Sequence, residues 1–350
     1  MYALGRFPDP PTDALSDATI AELQAILDAA VGGRLPGLTA TVLVADRGAW
    51  SSAAGRGDRD DAMETRSQFG IGSITKTVVA AAVLRLAEEG VLRLSDPVSD
   101  HLPASIEFDT NGATVEDLLS MESGIPDPAN VVGGHDPLRE WHLQEILDSV
   151  PSYRAQPNER FEYSNTSYIL LGLVIEEKTG TSVAAALRAD VLSDPRLDTL
   201  VYQPEERPAG PLALPLHRSD SGELGGGYLS SMAWVTSGGG AGCMASDSGP
   251  LALWGYLLFG GDILSDESLL AMTDFGTDGY GLGTFDLTEL ADGFDVPAVG
   301  NGGWDDGGYS TVLSVLPSRG VVISVMTNVA GDPKALVLPV AQRLASALQD

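Results

Sequence analysis

The sequence predicts an α/β protein: a discontinuous domain of helices and strands, residues 1–90 and 240–350, interrupted by a mostly helical domain, residues 91–239, with a site at their interface. Three observations carry that expectation. Runs rich in β-branched residues stand near both ends of the chain, helical periodicity dominates between them, and helix-like segments open and close the whole.

Taken in order, Ser16 to Val31 sets leucine, isoleucine and alanine at helical spacing, and Gly32-Gly33 ends it. Leu38 to Ala45 reads as a strand, Arg47-Gly48 as a turn, and Ala49 to Ala54 as the returning strand. From Thr75 to Glu89 alanine, leucine and valine predict a helix that stops at Gly90. The central block offers helical patches over Val115–Met121, His142–Ser149 and Tyr168–Thr179, divided by loops rich in proline, glycine and aspartate. Gly225-Gly226-Gly227 and Gly238-Gly239-Gly240 read as flexible loops, and neither precedes the Gly-Lys-Ser/Thr of a phosphate-binding loop. Ser246–Gly260 and Ser265–Met272 read as helices, Tyr280–Phe285, Ser310–Leu316 and Val321–Asn328 as strands, and Pro333–Leu348 as a closing helix. Proline suits the first turn of that helix, where its missing N–H is not needed.

Composition excludes several functions. A formal charge of −29 argues against nucleic acid or an anionic membrane surface as partner. No run of about 18 apolar residues predicts a membrane span. One cysteine, Cys243, rules out an intrachain disulfide and a cysteine-rich zinc site. The histidines, His101, His135, His142 and His217, lack metal-binding spacing, so neither metal nor cofactor is expected. Met1 to Pro11 lacks the basic-then-apolar pattern of a signal peptide, which leaves an intracellular protein or one whose signal has been removed. The oligomeric state is not encoded in any pattern of the sequence.

Chemistry concentrates in three places. Ser73-Ile74-Thr75-Lys76 sets a hydroxyl and an amine one turn apart, in a chain whose only lysines are Lys76, Lys178 and Lys334. Ser73 falls at or just inside a helix start, where unpaired N–H groups and the helix dipole favour developing negative charge, and Lys76 can reach its hydroxyl. A plain N-terminal serine cap followed by a solvated lysine gives the same letters. Tyr163-Ser164-Asn165 precedes an apolar helix; nearby positive charge would favour a phenolate at Tyr163 and make it a general base, whereas Ser164 and Asn165 also serve as ordinary helix caps. Val299-Gly300-Asn301-Gly302-Gly303-Trp304 has a backbone able to approach a substrate closely and offer an N–H to an oxyanion, though Asn-Gly is also a hairpin signal.

Ser-x-x-Lys, then Tyr-x-Asn about ninety residues on, then a glycine-ended motif on a late strand, resembles the serine β-lactamase and penicillin-recognising hydrolase superfamily. It is most similar to the branch of class C β-lactamases, D-alanyl-D-alanine carboxypeptidases and related esterases. The likeness extends over Phe69–Lys76, Leu84–Pro103, Thr114–Gly124, Phe161–Gly180, Gly239–Met272, Tyr280–Gly283 and Trp304–Asn328. It implies the β-lactamase/transpeptidase-like fold, an antiparallel sheet flanked by helices and interrupted by a helical domain. It implies Ser73 as acylated nucleophile, Lys76 as its proton partner, Tyr163 as general base and acid, and Asn165 as substrate-amide contact. Asn301 and Gly303 become substrate-binding positions, with the backbone N–H groups of Ser73 and Trp304 forming the oxyanion hole. The substrate class is a small molecule or peptide. Asn301 stands where the family usually has lysine or histidine, so a cation for a substrate carboxylate is missing there, which favours neutral esters or amides. The resemblance implies a serine hydrolase working through an acyl-enzyme, with D-alanyl-D-alanine carboxypeptidase- or β-lactamase-like amide hydrolysis; two other readings remain, an esterase of small neutral acyl esters and a non-catalytic binding protein on the same scaffold. A Ser-His-Asp hydrolase is weaker, because no G-x-S-x-G elbow occurs.

Overall fold

Alternating side chains explain the central sheet. The structure, a computed structural model, describes residues 5–58, 60–128, 136–153, 155–215, 227–305 and 307–348; His135, His217 and Gly225-Gly226 lie outside these. Its strands are β1 (Gly37–Val44), β2 (Gly48–Gly55), β3 (Phe69–Gly70), β4 (Val201–Tyr202), β5 (Met244–Ser246), β6 (Phe285–Asp286), β7 (Val299–Asp305), β8 (Tyr309–Leu316) and β9 (Val321–Thr327). Six of them form one antiparallel sheet in the order β2-β1-β9-β8-β7-β6, and β3-β5-β4 form a small second sheet.

Leu38, Ala40 and Val42 on β1, with Ile323 and Val325 on β9, face one side and bury against the Asp17–Ala30 and Leu338–Ser346 helices through Leu23, Leu27, Ala341 and Leu344. The intervening residues Leu43, Val322, Met326 and Leu313 face the other side and meet the Ser248–Phe259 helix through Trp254 and Leu258. Both faces are thus covered, so every residue of β1, β8 and β9 is buried, the hydroxyl residues included. Each fully buried leucine or isoleucine there contributes about 1.5–3 kcal/mol relative to exposure. Gly255 sets the spacing of that helix, since a Cβ would stand 2.8 Å from Leu313 Cδ1.

Most expected elements fall within a few residues of their sequence positions, and four differ. Tyr280–Phe285 is mainly a tight turn closed by a Tyr280–Phe285 bridge, with only Phe285–Asp286 as strand. Asn301-Gly302 lies inside β7 rather than in a hairpin turn, because β8 pairs along its whole length. The closing helix is two, Pro333–Leu336 and Leu338–Ser346, broken at Val337 just ahead of Pro339, whose ring removes a helical hydrogen bond. Gly238-Gly239-Gly240 is no loose loop: it ends the Met232–Gly238 helix and enters the turn Gly239–Ala241, which packs on the Asn165–Thr179 helix. A Cβ at Gly240 would lie 2.4 Å from the Tyr168 carbonyl oxygen, so the contact requires glycine.

Among the described residues no helix is long and apolar enough to cross a membrane.

Candidate active site

Ser73 is held by a turn that three separate elements clamp. It sits in the 3₁₀ turn Gly72–Ile74, immediately ahead of the Thr75–Glu88 helix. Strand β3 pairs with β5, and Ile71 N–H donates to the Met244 carbonyl at 2.9 Å, which fixes the approach to the turn. On the opposite side β7 presses against it. Gly72 adopts a φ of +50°, and a Cβ there would stand 2.8 Å from Trp304 N; a Cβ at Gly303 would stand 1.8 Å from Ile71 O. Both positions therefore require glycine, and together they set the Trp304 backbone against that of Ser73. The Ser73 and Trp304 backbones, from which the resemblance draws the two oxyanion N–H groups, thus lie side by side.

Lys76 lies one turn along, fully buried. Its Nζ lies 3.1 Å from Ser73 Oγ, 2.8 Å from Asn165 Oδ1 and 2.7 Å from the Ala241 carbonyl oxygen. The same nitrogen lies 4.9 Å from the centre of the Tyr163 ring and 5.6 Å from that of Tyr168. Burial pulls the ammonium down from its ordinary 10.5 to about 7, against the opposing pull of the Asp127 carboxylate. A neutral amine keeps two donors and one lone pair. With Asn165 Oδ1 and Ala241 O taking the two donors, the lone pair is left for the Ser73 hydroxyl.

Tyr163 comes from the segment ahead of the Asn165–Thr179 helix, and its hydroxyl donates to Ser73 Oγ at 2.8 Å. Phe285 stacks against its ring at 6.3 Å and Tyr280 meets it edge-on at 6.2 Å. Burial pushes its hydroxyl well above the ordinary tyrosine value, only partly offset by the bond to Ser73. The group is a protonated phenol at neutral pH. The phenolate expected from neighbouring positive charge is not what its surroundings favour, because burial, with a smaller push from the Asp127 carboxylate, disfavours the charged form.

Asn165 is the first residue of its helix. The ordinary capping role expected of Ser164 is not performed: its hydroxyl is buried without a partner, and the Asn165 N–H donates instead to the Asp127 carboxylate. Asn301 is fully buried, its Nδ2 donating to the Gly283 carbonyl at 2.9 Å. It does not line the cleft at Ser73, and neither does Gly303.

Two cavities meet at Ser73, Asn165 and Trp304. The larger, about 310 Å³, has apolar walls from Phe285, Leu287, Leu290, Val312 and Leu338, includes Tyr163, and ends at Asp332 and Lys334. The smaller, about 70 Å³, is walled by Ile169, Trp234, Gly238 and Gly242. Trp304 borders both and is 51% exposed.

Sequence reasoning thus gathered Ser73, Lys76, Tyr163, Asn165 and Trp304 at one point, and missed Ala241, Asp127 and Lys334. Ala241 acts through a carbonyl, which no residue type announces. The signal available for Asp127 was an acidic residue in the proline-bearing run Ser123-Gly124-Ile125-Pro126-Asp127, within the stretch just beyond the matched Thr114–Gly124.

The family model described as Beta-lactamase matches residues 17–347. Protein flp of Staphylococcus aureus (strain NCTC 8325 / PS 47) is 32% identical over 162 residues, covering 43% of this chain and 31% of flp. The matched stretch thus spans about a third of the length of that curated relative. Among solved structures, a D-stereospecific amidohydrolase from Streptomyces sp. superposes with a TM-score of 0.74 at 25% identity, over 94% of this chain and 98% of that one. A D-amino acid amidase from Ochrobactrum anthropi SV3, complexed with L-phenylalanine amide, gives a TM-score of 0.79 at 22% identity, over 95% and 99%.

Proposed function

The chain belongs to the beta-lactamase family, and from that premise we propose that it is a serine hydrolase working through an acyl-enzyme on Ser73. One observation carries the reading: Ser73 Oγ is contacted at once by a lysine brought to near neutrality at 3.1 Å and by a protonated phenol at 2.8 Å.

In this mechanism neutral Lys76 takes the Ser73 proton as Oγ attacks the acyl carbon. The backbone N–H groups of Ser73 and Trp304 hold the oxyanion, which lowers the barrier because they are already in place. The proton leaves again to the departing amine or alkoxide through the Tyr163 hydroxyl, so Tyr163 works as acid and relay rather than as initial base. Water then attacks the ester, the same groups run in reverse, and Ser73 recovers its proton. Tyr163 lines only the larger cavity, so the leaving group departs there and the acyl group occupies the smaller one.

The substrate class proposed is an amide with a small acyl group, hydrolysed in the manner of D-amino-acid amides or D-alanyl-D-alanine peptides. Likeness to proteins described as a D-stereospecific amidohydrolase and a D-amino acid amidase supports it. A second reading, hydrolysis of small neutral esters, is favoured by the neutral, buried Asn301. Intact-protein mass spectrometry after incubation with a penicillin, a cephalosporin and a fluorophosphonate, with Ser73→Ala as control, tests the nucleophile. A Ser73-dependent adduct with the β-lactams supports the amide reading, one with the fluorophosphonate alone supports the ester reading, and none with any probe overturns acyl-enzyme chemistry.

A further inference from the structure

Asp127 lies outside the three sequence motifs, yet its carboxylate is bonded twice to a residue inside one of them. One oxygen accepts from the Asn165 N–H, and the other from Asn165 Nδ2 at 3.4 Å. An ionised carboxylate only accepts hydrogen bonds, whereas an amide side chain presents a donor on one side and an acceptor on the other. With Nδ2 turned to Asp127, Oδ1 is left facing Lys76 Nζ at 2.8 Å. The reverse orientation would set an amide oxygen against a carboxylate and an N–H against the donors of Lys76. The residue sequence-adjacent to this position, Ser164, is a good cap by type and makes no cap bond, so the helix end relies on Asp127.

We propose that Asp127 is a positioning residue for acylation: it sits on the N-terminus of the Asn165–Thr179 helix and locks the Asn165 amide in the orientation that holds Lys76 on Ser73. The inference rests on the serine-hydrolase reading for its consequence in rate, and on geometry alone for its hold on Lys76. A second effect accompanies the first. The groups facing Lys76 are Ser73 from the preceding turn, Asn165 and Tyr168 from the helix, Tyr163 ahead of it, the Ala241 carbonyl from the Gly239–Ala241 turn, and Asp127 from its loop. Tyr163 and Tyr168 are held as neutral phenols by burial, so Asp127 is the anion among them. Its charge opposes the burial of the ammonium, which keeps the lysine titrating near neutrality instead of below it. Asp127, though exposed at the surface, is pushed above the ordinary carboxylate value by partial desolvation, with the Asn165 N–H and Lys76 pulling the other way.

The scarcity of lysine makes a direct test practical. In protein labelled with ¹³C-lysine only three side chains report, and Lys178→Arg and Lys334→Arg assign the remaining signal to Lys76. The titration of Lys76 is followed in the wild type, in Asp127→Asn, which keeps an acceptor for the Asn165 N–H but loses the charge, and in Asp127→Ala. Fluorophosphonate acylation of Ser73 is timed across pH in the same proteins. The expected result is a downward move of the Lys76 titration by about one pH unit in both variants. The acid limb of acylation follows it, with a plateau roughly 10–100-fold lower in Asp127→Ala. An unmoved Lys76 titration overturns the proposal, including where Asp127→Ala has lost rate and thermal stability together, since that is a merely structural role. A wild type that forms no adduct counts against the serine-hydrolase reading instead, and the titration alone then decides whether Asp127 governs Lys76.

Discussion

The two sides of the Ser73 cleft are built on opposite principles. Around Lys76 the amine is wholly enclosed, its nitrogen is held by Ser73 Oγ, Asn165 Oδ1 and the Ala241 carbonyl, and the glycines at Gly72, Gly240 and Gly303 admit no other side chain. Across the cleft, Trp304 is half exposed and Lys334 stands at the solvent edge, with no side-chain partner among the described residues. On the proposed mechanism the enclosed side holds the groups that make and break bonds, and the open side meets only the substrate. Geometry tolerances follow the same division. A small displacement at Lys76 disturbs several hydrogen bonds together, whereas a change at Lys334 alters one charge screened by solvent.

The contrast is broken most severely by Ser73→Ala, which removes the attacking oxygen and is expected to lower turnover by about 10⁴-fold or more with the thermal midpoint unchanged. Retained turnover in that variant would place the nucleophile elsewhere. Tyr163→Phe leaves the aromatic stack intact and removes only the hydroxyl; the expected loss is roughly 10²–10⁴-fold in kcat, read in steady-state kinetics. For Gly303→Ala the intruding methyl must displace β7 from Ile71, which moves the Trp304 N–H. A loss of about 10²–10³-fold in acylation is expected, together with a lower melting temperature in calorimetry.

Titration sharpens the enclosed side further. Neutral Lys76 is the active form, so kcat/KM for a neutral ester should rise through about pH 7 and fall about tenfold per unit below it. The unfolded chain keeps that proton up to an ordinary value near 10.5, so the Lys76 contribution to folding stability also grows with pH between about 7 and 10.5. A pH–rate profile flat between 6 and 8 would contradict both the neutral amine and its role. The smallest effect belongs to the open side. Lys334→Met is expected to shift the kcat/KM ratio of a carboxylate-bearing substrate to its neutral analogue by only a few-fold, and less at high salt. A shift of a hundredfold would show that the wall is as finely set as the corner.

What was legible in the sequence follows the same line. The roles proposed for Ser73, Lys76, Tyr163 and Asn165 belong to side chains whose type and spacing suggest their chemistry, and the structure brings all four within hydrogen-bonding reach. Long apolar strands and helices were legible because burial leaves a period in the letters. Ala241 was not, since its contribution is a backbone oxygen delivered by a glycine run that reads as a loop. Asn301 misled for the opposite reason: its place in the motif aligns with a cation that meets substrate, while its own side chain turns inward to Gly283. The charge of Lys76 was also illegible, because it depends on neighbours drawn from the helix at Asn165, the turn at Ala241 and the loop at Asp127.

The strand order has a consequence for how the protein comes into being. β1 pairs with β9 over Leu38 to Val44, and Thr327 Oγ1 donates to the Gly37 carbonyl at 2.7 Å across 290 residues of chain. Contacts so distant in sequence close late and slowly. On the ribosome, Ser73, Lys76 and Tyr163 all emerge well before β7, β8 and β9, so the β1–β2 hairpin waits without its partner and the Trp304 amide is still missing. A nascent chain halted between the Asn165–Thr179 helix and β7 carries Ser73, Lys76 and Tyr163, but not the strand that clamps the Ser73 turn. On the proposed mechanism, synthesis of β7 to β9 therefore supplies the last part of the site, long after the residues around Ser73 have been made.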